Sequence, residues 1–361
     1  MATTVDRPPR ARARVADRPV EFAAEQPPVE PVIGGPRLPS FTAEQLAWFG
    51  LVAVAFVMRI WDLGQRAMHH DESMHAFYGW QLFKGGGYHY DPMLHGPFQF
   101  HAIALMDFLF GPSDATARLT AVVCGTGIVI GTWWLRPHLG KLGAFIAAFL
   151  FAISPSFLYF SRFTREDIYV TFFTYLMVVG MFGWLHSRKS GFIYLLFSAT
   201  ALAFATKEST FITLFIFGSF LILVLLWENA DRLLPNSKFK IQNSKFVTDA
   251  LLSIGRSVWF TGIILFIVII VLLFTTFLTN RHGLQDAFTS SLSYWLGQQS
   301  VARGSQPGFY YALLLPAYEQ IPVLFGLIGI AVYTFRKWTL PAAAVVIVAG
   351  QGLAITGGGK L

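Results

Sequence analysis

The sequence predicts an all-α polytopic membrane protein with about nine transmembrane helices, and two observations support this fold class. Hydrophobic residues make up 54% of the 361 residues, whereas charged residues make up only 13%. The apolar residues form separate, continuous runs, most of them long enough to cross a hydrocarbon core of about 30 Å. Because these runs do not alternate between apolar and polar residues, we do not expect a transmembrane β-barrel.

Each predicted span is an apolar run that ends at charged or turn-forming residues. The predicted spans are residues 46–61, 119–135, 142–160, 168–185, 192–205, 211–227 and 258–278, a span that ends near residue 335, and residues 340–355. The run Phe98–Phe110 is short and contains His101 and Asp107. Its length therefore favours an interfacial or re-entrant helix over a span.

The distribution of basic residues sets the predicted orientation. If Phe98–Phe110 does not cross the membrane, the lysines and arginines between the spans fall mainly on the cytoplasmic side, as the positive-inside rule requires. We therefore expect a multi-pass plasma-membrane protein with a cytoplasmic N terminus. The same basic residues account for the net charge of +7, so we do not expect nucleic-acid binding.

The chain divides into two predicted parts. Residues 1–44 are rich in proline, alanine, arginine and glutamate, a composition that is typical of a disordered tail. Residues 45–361 form the transmembrane domain, with a first outer loop at 63–114, a cytoplasmic loop at 228–256 and an outer loop at 279–312. The first outer loop is large and is expected to carry interfacial helices. The chain ends soon after the last predicted span, as a C-terminally truncated protein would.

Charged residues gather on the predicted outer face, close to the ends of spans. An ionisable group at a membrane surface is costly unless it is solvated or paired, so this gathering is a candidate functional site. Its members are Asp71, Glu72, Arg162, Arg165, Glu166, Asp167, Lys207 and Glu208.

Three acidic residues are candidates for catalysis. Asp71 lies beside a low-dielectric boundary, an environment that suits a general base. Glu72 and Asp167 would orient an acceptor, or Asp71 and Asp167 would hold a divalent cation such as Mg²⁺ or Mn²⁺. The alternative is that Asp71 and Glu72 form a solvated turn at the membrane surface.

Three basic residues are candidates for binding a phosphate. Arg162 and Arg165 suit this role because a planar guanidinium can donate to two phosphate oxygens at once. Lys207 would neutralise a phosphate leaving group. The alternatives are that the charges pair with one another at the membrane edge, and that Lys207 forms a salt bridge with Glu208.

The histidines do not predict a metal centre of their own. No pair has the spacing of a zinc motif, and the single cysteine, Cys124, excludes a cysteine-based site within the chain. A carboxylate-held cation is therefore expected ahead of a histidine site. The histidines considered are His69, His70, His75, His89, His95 and His101.

An aromatic segment lies at the end of the second outer loop. Tyr310 and Tyr311, followed by Glu319, are candidates for substrate binding because aromatic rings with a few polar groups suit a sugar or a polyprenyl phosphate. The alternative is an interfacial aromatic belt, which membrane proteins commonly carry.

These motifs resemble those of a known family. Asp71-Glu72 and His95-Gly96-Pro97 are similar to the Asp-Glu and His-Pro-Pro elements in the first outer loop of dolichyl-phosphate-mannose protein mannosyltransferases, which form glycosyltransferase family 39 of the GT-C superfamily. Further similar elements are Ser161-Arg162, Glu166-Asp167, Thr206-Lys207, residues 306–311 and Tyr318-Glu319. The resemblance covers residues 45–335 and is to the prokaryotic branch. One element departs from the family, since Gly96 stands where the pattern has proline.

The resemblance implies a fold and an activity. We expect a GT-C-like helical bundle that moves a sugar from a polyprenyl-phosphate donor to an acceptor, which would be a protein, a lipid or a glycan. Direct displacement with Asp71 as the base would invert the anomeric carbon. His95 would contact substrate. The site would face the non-cytoplasmic side and lie among membrane lipids.

A non-catalytic function is the alternative hypothesis. The chain would then be a carrier of lipid-linked sugar, a flippase-associated protein or a structural subunit of a membrane complex. Transporters often have internal repeats and charged or broken helices at mid-membrane. The predicted spans here are nearly uncharged at their centres and show no repeat, so the sequence favours chemistry at one face.

Overall fold

The computed structural model describes residues 41–88, 90–230, 245–298, 307 and 309–335. Their regular secondary structure is entirely helical, without a strand among the described residues. The all-α fold class is therefore confirmed. By its contacts the chain divides into Met1–Thr42 and Ala43–Leu361, and every element described below belongs to the second unit. Most of the predicted N-terminal tail and the predicted span at 340–355 lie outside the described residues.

Fourteen labelled helices follow one another along the described chain. They are α1 (Ala43–Ile60), α2 (His70–Phe83), α3 (Phe98–Phe110), α4 (Asp114–Gly131), α5 (Arg136–Ile153), α6 (Pro155–Phe160), α7 (Glu166–Ser187), α8 (Ser190–Phe204), α9 (Thr210–Glu228), α10 (Phe246–Leu252), α11 (Arg256–Phe274), α12 (Ser291–Gln298), α13 (Tyr310–Tyr318) and α14 (Gln320–Phe335). Short helical turns lie at Pro92–Leu94, Thr132–Leu135 and Gly283–Gln285, and a π-helix lies at Asp286–Ser290.

Five helical runs are long and apolar enough to cross a membrane, and a bent pair formed by α13 and α14 raises this number to six. The longest run, Asp114–Ile153, has 40 residues and is interrupted at Gly140, whose φ is 73°. The helices α3 and α8 are shorter, with 13 and 15 residues. The total of about nine spans stays a prediction because residues 336–361 lie outside the described part of the chain.

The 40-residue run folds back on itself. Trp48, near the start of α1, packs edge-on against Trp133 and Phe145. At the other end of α1, Arg59 donates a hydrogen bond to the carbonyl of Ala152. The helix α5 therefore runs parallel to α1, and α4 runs antiparallel to both. This reversal at Gly140 gives the two separate helices that the spans at 119–135 and 142–160 predicted.

Buried side chains of α4, α7 and α8 form the centre of the bundle. The helices α7 and α8 are joined by the short turn at Arg188 and Lys189, so they are antiparallel and adjacent. As a result, the start of α7 and the end of α8 lie at the same end of the bundle. The end of α1 lies there too, because Arg162, shortly before α7, donates to the carbonyl of Met58. The buried members of this core are Ala121, Cys124, Ile128, Ile168, Tyr169, Phe173, Met177, Ala199 and Ala203.

The helix α2 confirms the predicted helix in the first outer loop. It starts with a capping box, in which the His69 ring accepts a hydrogen bond from the Asp71 N–H and Glu72 accepts one from the His69 N–H. Such reciprocal bonds satisfy backbone donors that the first turn leaves free. On its buried side, Gly79 packs so closely on α3 that a Cβ there would lie 2.6 Å from Ile103.

A buried ion pair attaches the first outer loop to α4. Arg118 donates to both oxygens of Glu72, at 2.9 and 3.0 Å. The same guanidinium donates to the carbonyls of Leu63, Arg66 and Ala67. Both side chains are almost fully buried, at 1% and 0% exposure. One arginine therefore holds the loop from the end of α1 to the start of α2.

The carboxylate of Glu72 is saturated by protein donors. Besides Arg118, it accepts hydrogen bonds from Arg66 and from the backbone N–H groups of His69 and Thr164. Burial by itself would raise the pKa of Glu72, but the hydrogen bonds from Arg118, Thr164 and His69 hold this pKa below its usual value. Glu72 is therefore an ionised carboxylate of the interior.

The segment His95-Gly96-Pro97 docks against the end of α8. The Gly96 N–H donates to the carbonyl of Thr206 at 3.0 Å, and the Phe98 N–H donates to that of Ala205 at 2.9 Å. A Cβ at position 96 would lie 2.1 Å from the Ala205 oxygen. A proline there would also lack the N–H that bonds Thr206. The departure from the His-Pro-Pro pattern therefore has a structural reason.

We predict that Gly96→Ala destabilises the protein by about 1–3 kcal/mol, because the added methyl group must push a backbone carbonyl aside. The matched control is Gly50→Ala, since a Cβ at Gly50 meets nothing within 4 Å. Thermal unfolding of the purified protein in detergent measures both variants. Equal unfolding temperatures for the two variants would contradict the close packing at Gly96.

We predict that removing either member of the buried pair costs about 3–5 kcal/mol, because the other charge is left buried and unpaired. Glu72→Gln and Arg118→Met test this by thermal unfolding, and the double variant should lose less than the two singles added together. Independent losses that simply add would show that the pair is not coupled.

A pH dependence follows from the lowered pKa of Glu72. The ionised carboxylate stabilises the folded protein above its unfolded-state pKa of about 4.3, and this contribution is lost as the pH falls through the lower folded-state pKa. The unfolding temperature of the wild type should therefore fall with decreasing pH more steeply than that of Glu72→Gln.

Candidate active site

Charged side chains from three connections meet at one end of the bundle. Asp71 lies in the first turn of α2, Arg165 lies just before α7, and Lys207 lies between α8 and α9. The topology described above brings these three points together. Continuous ion pairs link Asp71 to Arg165, Arg165 to Asp167, and Asp167 to Lys207. We call this group, with Glu166, His95 and Glu208, the charged cluster.

Arg165 contacts three carboxylates of the charged cluster. Its Nη1 lies 3.2 Å from Oδ2 of Asp71, and its Nε lies 3.4 Å from Oε1 of Glu166 and 3.4 Å from Oδ2 of Asp167. Arg165 and Asp71 are partly exposed, at 36% and 30%. Burial alone would lower the pKa of Arg165, but Glu166, Asp167 and Asp71 raise it. The guanidinium is therefore charged and open to solvent on one side.

Lys207 supplies a second cation beside Arg165. Its Nζ lies 2.6 Å from Oδ1 of Asp167 and 3.1 Å from Oε1 of Glu166. Burial by itself would lower the pKa of Lys207, but the two carboxylates raise it. The ammonium group therefore stays charged at neutral pH, about as close to Glu166 as Arg165 is.

His95 lies between two carboxylates and against an aromatic ring. Its Nδ1 lies 2.7 Å from Oε2 of Glu208, and its Nε2 lies 3.4 Å from Oε1 of Glu166. The imidazole stacks on Trp295 of α12, with ring centroids 4.9 Å apart and an interplanar angle of 5°. The Tyr90 hydroxyl donates to Glu208 at 3.3 Å. The predicted outer loop at 279–312 therefore contributes a side chain beside the cluster.

Glu166 was predicted to lie among these charges, but no catalytic or binding role was predicted for it from the sequence. Only 1% of its side chain is exposed, yet its Oε1 contacts Arg165, Lys207 and His95. The adjacent Asp167 was selected and is 32% exposed. Neighbouring residues at a helix start point in different directions, and the sequence gives no signal as to which acid faces the interior. Glu166 therefore connects Arg165 and Lys207 to His95 from the buried side of the cluster.

Glu72 does not face the charged cluster. Although it follows Asp71 directly, its carboxylate points into the bundle and contacts protein donors only, as described above. This arrangement leaves no oxygen of Glu72 for an acceptor. Arg118, its main partner, was not selected from the sequence. The available signal was an arginine at the edge of the apolar run 119–135, where an ionisable group is expected to have a partner.

Arg162 lies apart from the cluster and caps α1. Its guanidinium donates to the carbonyls of Met58, Arg59 and Trp61, at 2.9, 3.2 and 2.6 Å. An arginine at a helix C terminus satisfies free carbonyls and interacts favourably with the helix dipole. These contacts are structural, so the donor-phosphate role predicted for Arg162 has no support in the geometry.

Glu319, which follows the aromatic segment, makes a capping contact at the start of another helix. Oε1 of Glu319 accepts hydrogen bonds from the Ser154 hydroxyl and the Ser156 N–H, both at 2.8 Å, and so caps the start of α6. Tyr310 is the first residue of α13. The side chain of Tyr311 lies outside the described residues. No contact within the described part of the chain joins Glu319 to the charged cluster.

The cluster does not offer an evident metal site. Among the described residues, no group of three or more histidine, cysteine, aspartate or glutamate side chains is arranged to hold a metal ion. Asp71 and Asp167, the predicted ligands, both contact Arg165. A guanidinium therefore lies where a bridging Mg²⁺ or Mn²⁺ would have to sit, and the residues do not fit this cation.

Residues 94–244 match the family model of dolichyl-phosphate-mannose-protein mannosyltransferases. The matched region starts beside His95 and includes Arg165, Glu166, Asp167 and Lys207 of the charged cluster. No curated protein matches the chain in sequence.

The fold is similar to that of ArnT from Cupriavidus metallidurans. The ArnT structure bound to undecaprenyl phosphate aligns with a TM-score of 0.61 and 17% identity, over 85% of this chain and 54% of ArnT. The apo structure aligns with a TM-score of 0.62 and 18% identity, over 87% of this chain and 55% of ArnT. The chain therefore spans about half the length of the ArnT structures that it matches.

The helical architecture, the match at residues 94–244 and the likeness to ArnT agree with the family resemblance of the motifs. The chain has the GT-C fold, and its central region matches the dolichyl-phosphate-mannose-protein mannosyltransferase family.

Proposed function

We propose that this protein transfers a glycosyl group from a polyprenyl-phosphate sugar to an acceptor hydroxyl on the non-cytoplasmic face of the plasma membrane. One observation carries the proposal: Asp71, a partly exposed carboxylate, is joined through Arg165 and Asp167 to Lys207. A base beside two cations is what displacement of a phosphate leaving group requires. ArnT, which shares the fold, has been seen bound to undecaprenyl phosphate.

Arg165 and Lys207 form the proposed donor-phosphate site. The phosphodiester of a lipid-linked sugar carries one negative charge, and its charge grows as the sugar leaves. Cations that already stand at this position stabilise the growing charge without having to reorganise. Glu166 and Asp167 position these cations from the protein side.

Asp71 is the proposed general base. The acceptor oxygen attacks the anomeric carbon while its proton passes to Asp71, and the bond from that carbon to the phosphate oxygen breaks. The electron pair leaves with the polyprenyl phosphate, which Arg165 and Lys207 hold. A single displacement of this kind inverts the anomeric configuration. The proposed steps do not involve a metal ion. The acceptor is a protein, a lipid or a glycan.

His95 is the proposed contact to the sugar. Its ring is fixed by Glu208 on one nitrogen and by stacking on Trp295. Its backbone has a φ of 64°, an unusual value for a residue with a side chain. Strain of this kind persists where the surroundings determine the conformation, and it is common at functional sites. A fixed imidazole with a partly exposed edge suits recognition of a sugar hydroxyl.

We predict that Asp71→Asn lowers sugar transfer by about 10²–10⁴-fold, because a general base contributes this much to proton transfer. The assay follows labelled sugar from a polyprenyl-phosphate donor pool into membrane extracts at matched expression. The control is Asp91→Asn, which removes an exposed carboxylate from the same loop. Full transfer by Asp71→Asn would exclude it as the base, and absence of transfer by the wild type across a donor panel would favour a carrier or a structural subunit.

We also predict different effects for the two arginines that were candidates for phosphate binding. Arg165→Gln should reduce kcat/KM for the donor by about 10²-fold or more, because it removes charge stabilisation of the leaving phosphate. Arg162→Gln should instead lower the unfolding temperature and leave kcat/KM nearly unchanged, because the hydrogen bonds of Arg162 go to backbone carbonyls at the end of α1 and just after it. The reverse pattern would contradict the assignment of both residues.

A further inference from the structure

Arg165 has a partner in this structure that it must give up in the proposed reaction. Its Nη1 lies 3.2 Å from Oδ2 of Asp71. A base must present a lone pair within hydrogen-bond distance of the proton that it removes. While Asp71 accepts from a guanidinium, its carboxylate is turned toward Arg165 and away from an incoming proton.

The charged cluster contains more acids than permanent cations. Its ion pairs join four carboxylates, Asp71, Glu166, Asp167 and Glu208, whereas Arg165 and Lys207 are its only permanent cations among the described residues. An entering phosphate therefore finds both cations already paired with carboxylates. Its negative charge competes with these carboxylates for the guanidinium and the ammonium.

Asp71 is the carboxylate that the phosphate can displace most easily. Glu166 is buried and has both cations as neighbours, and Asp167 also contacts both. Asp71 contacts Arg165, whereas the ion pairs of Lys207 within the described part of the chain are with Glu166 and Asp167. Both partners of the Asp71–Arg165 pair are partly exposed. Exposed ion pairs contribute little to stability, so this pair is the easiest to break. Arginine binds phosphate oxygens well because of its planar fork.

We propose that binding of the donor phosphate to Arg165 displaces Asp71 and thereby frees it to act as the base. This inference rests on the proposed function, and it adds an order of events. The donor binds first and takes Arg165 away from Asp71. The acceptor proton then passes to Asp71 while the acceptor oxygen replaces the phosphate oxygen at the anomeric carbon. After polyprenyl phosphate leaves, Asp71 loses the proton to solvent and pairs with Arg165 again.

The test is a double-mutant cycle of binding, with undecaprenyl phosphate as the probe and the full chain in detergent. It needs no acceptor and no sugar. Asp71→Asn should bind the probe about two- to fivefold more tightly than the wild type, because phosphate no longer competes for Arg165. Arg165→Gln should bind it about tenfold more weakly or worse. In the Arg165→Gln background, Asp71→Asn should have almost no effect.

A control separates competition from simple repulsion. Asp91→Asn also removes one negative charge from the same loop, and it should leave the affinity unchanged. If Asp71→Asn tightens binding equally with and without Arg165, the effect is general repulsion and the inference is overturned. It is also overturned if Asp71→Asn does not tighten binding at all. If the wild type does not bind undecaprenyl phosphate, the proposed function fails and the inference with it.

Discussion

The buried ion pair between Glu72 and Arg118 is the contact on which the arrangement of the site depends. Two charges of opposite sign are removed from water together, and the remaining donors of Arg118 bind backbone carbonyls of the first loop. Such a pair is strongly unfavourable when one partner is missing. It therefore fixes the start of α2 relative to α4, and with it the position of Asp71.

Neighbouring charged residues in this chain have different roles. Asp71 faces the cluster, whereas Glu72 faces the interior. Arg165 contacts three carboxylates, whereas Arg162, three residues earlier in the chain, caps α1. In each pair, one residue stabilises the fold through hydrogen bonds to other protein groups, and the other residue is partly exposed to solvent. A site held in this way keeps its geometry because the supporting side chains are themselves fixed by hydrogen bonds.

The cluster contains more carboxylates than permanent cations, and this surplus would affect the proposed chemistry in two ways. Acids around Arg165 and Lys207 keep both cations charged and correctly placed before any phosphate arrives. In the proposed reaction, the phosphate also competes with these carboxylates for Arg165 and Lys207. The same carboxylates that organise the cations would therefore limit how strongly the product phosphate is retained in that reaction.

The sequence by itself determined the helical class, the helix α2 and the set of connections that carry charge, because apolar runs, caps and charge distribution are local properties. It also selected Asp71, Arg165 and Lys207 as candidates, and the fold brings these three side chains together. Only the tertiary structure decided that Glu72 is buried, that Arg162 caps α1 and that Glu319 caps α6. These assignments depend on contacts between residues far apart in the chain, and adjacent charges cannot be told apart until a helix fixes the direction in which each one points.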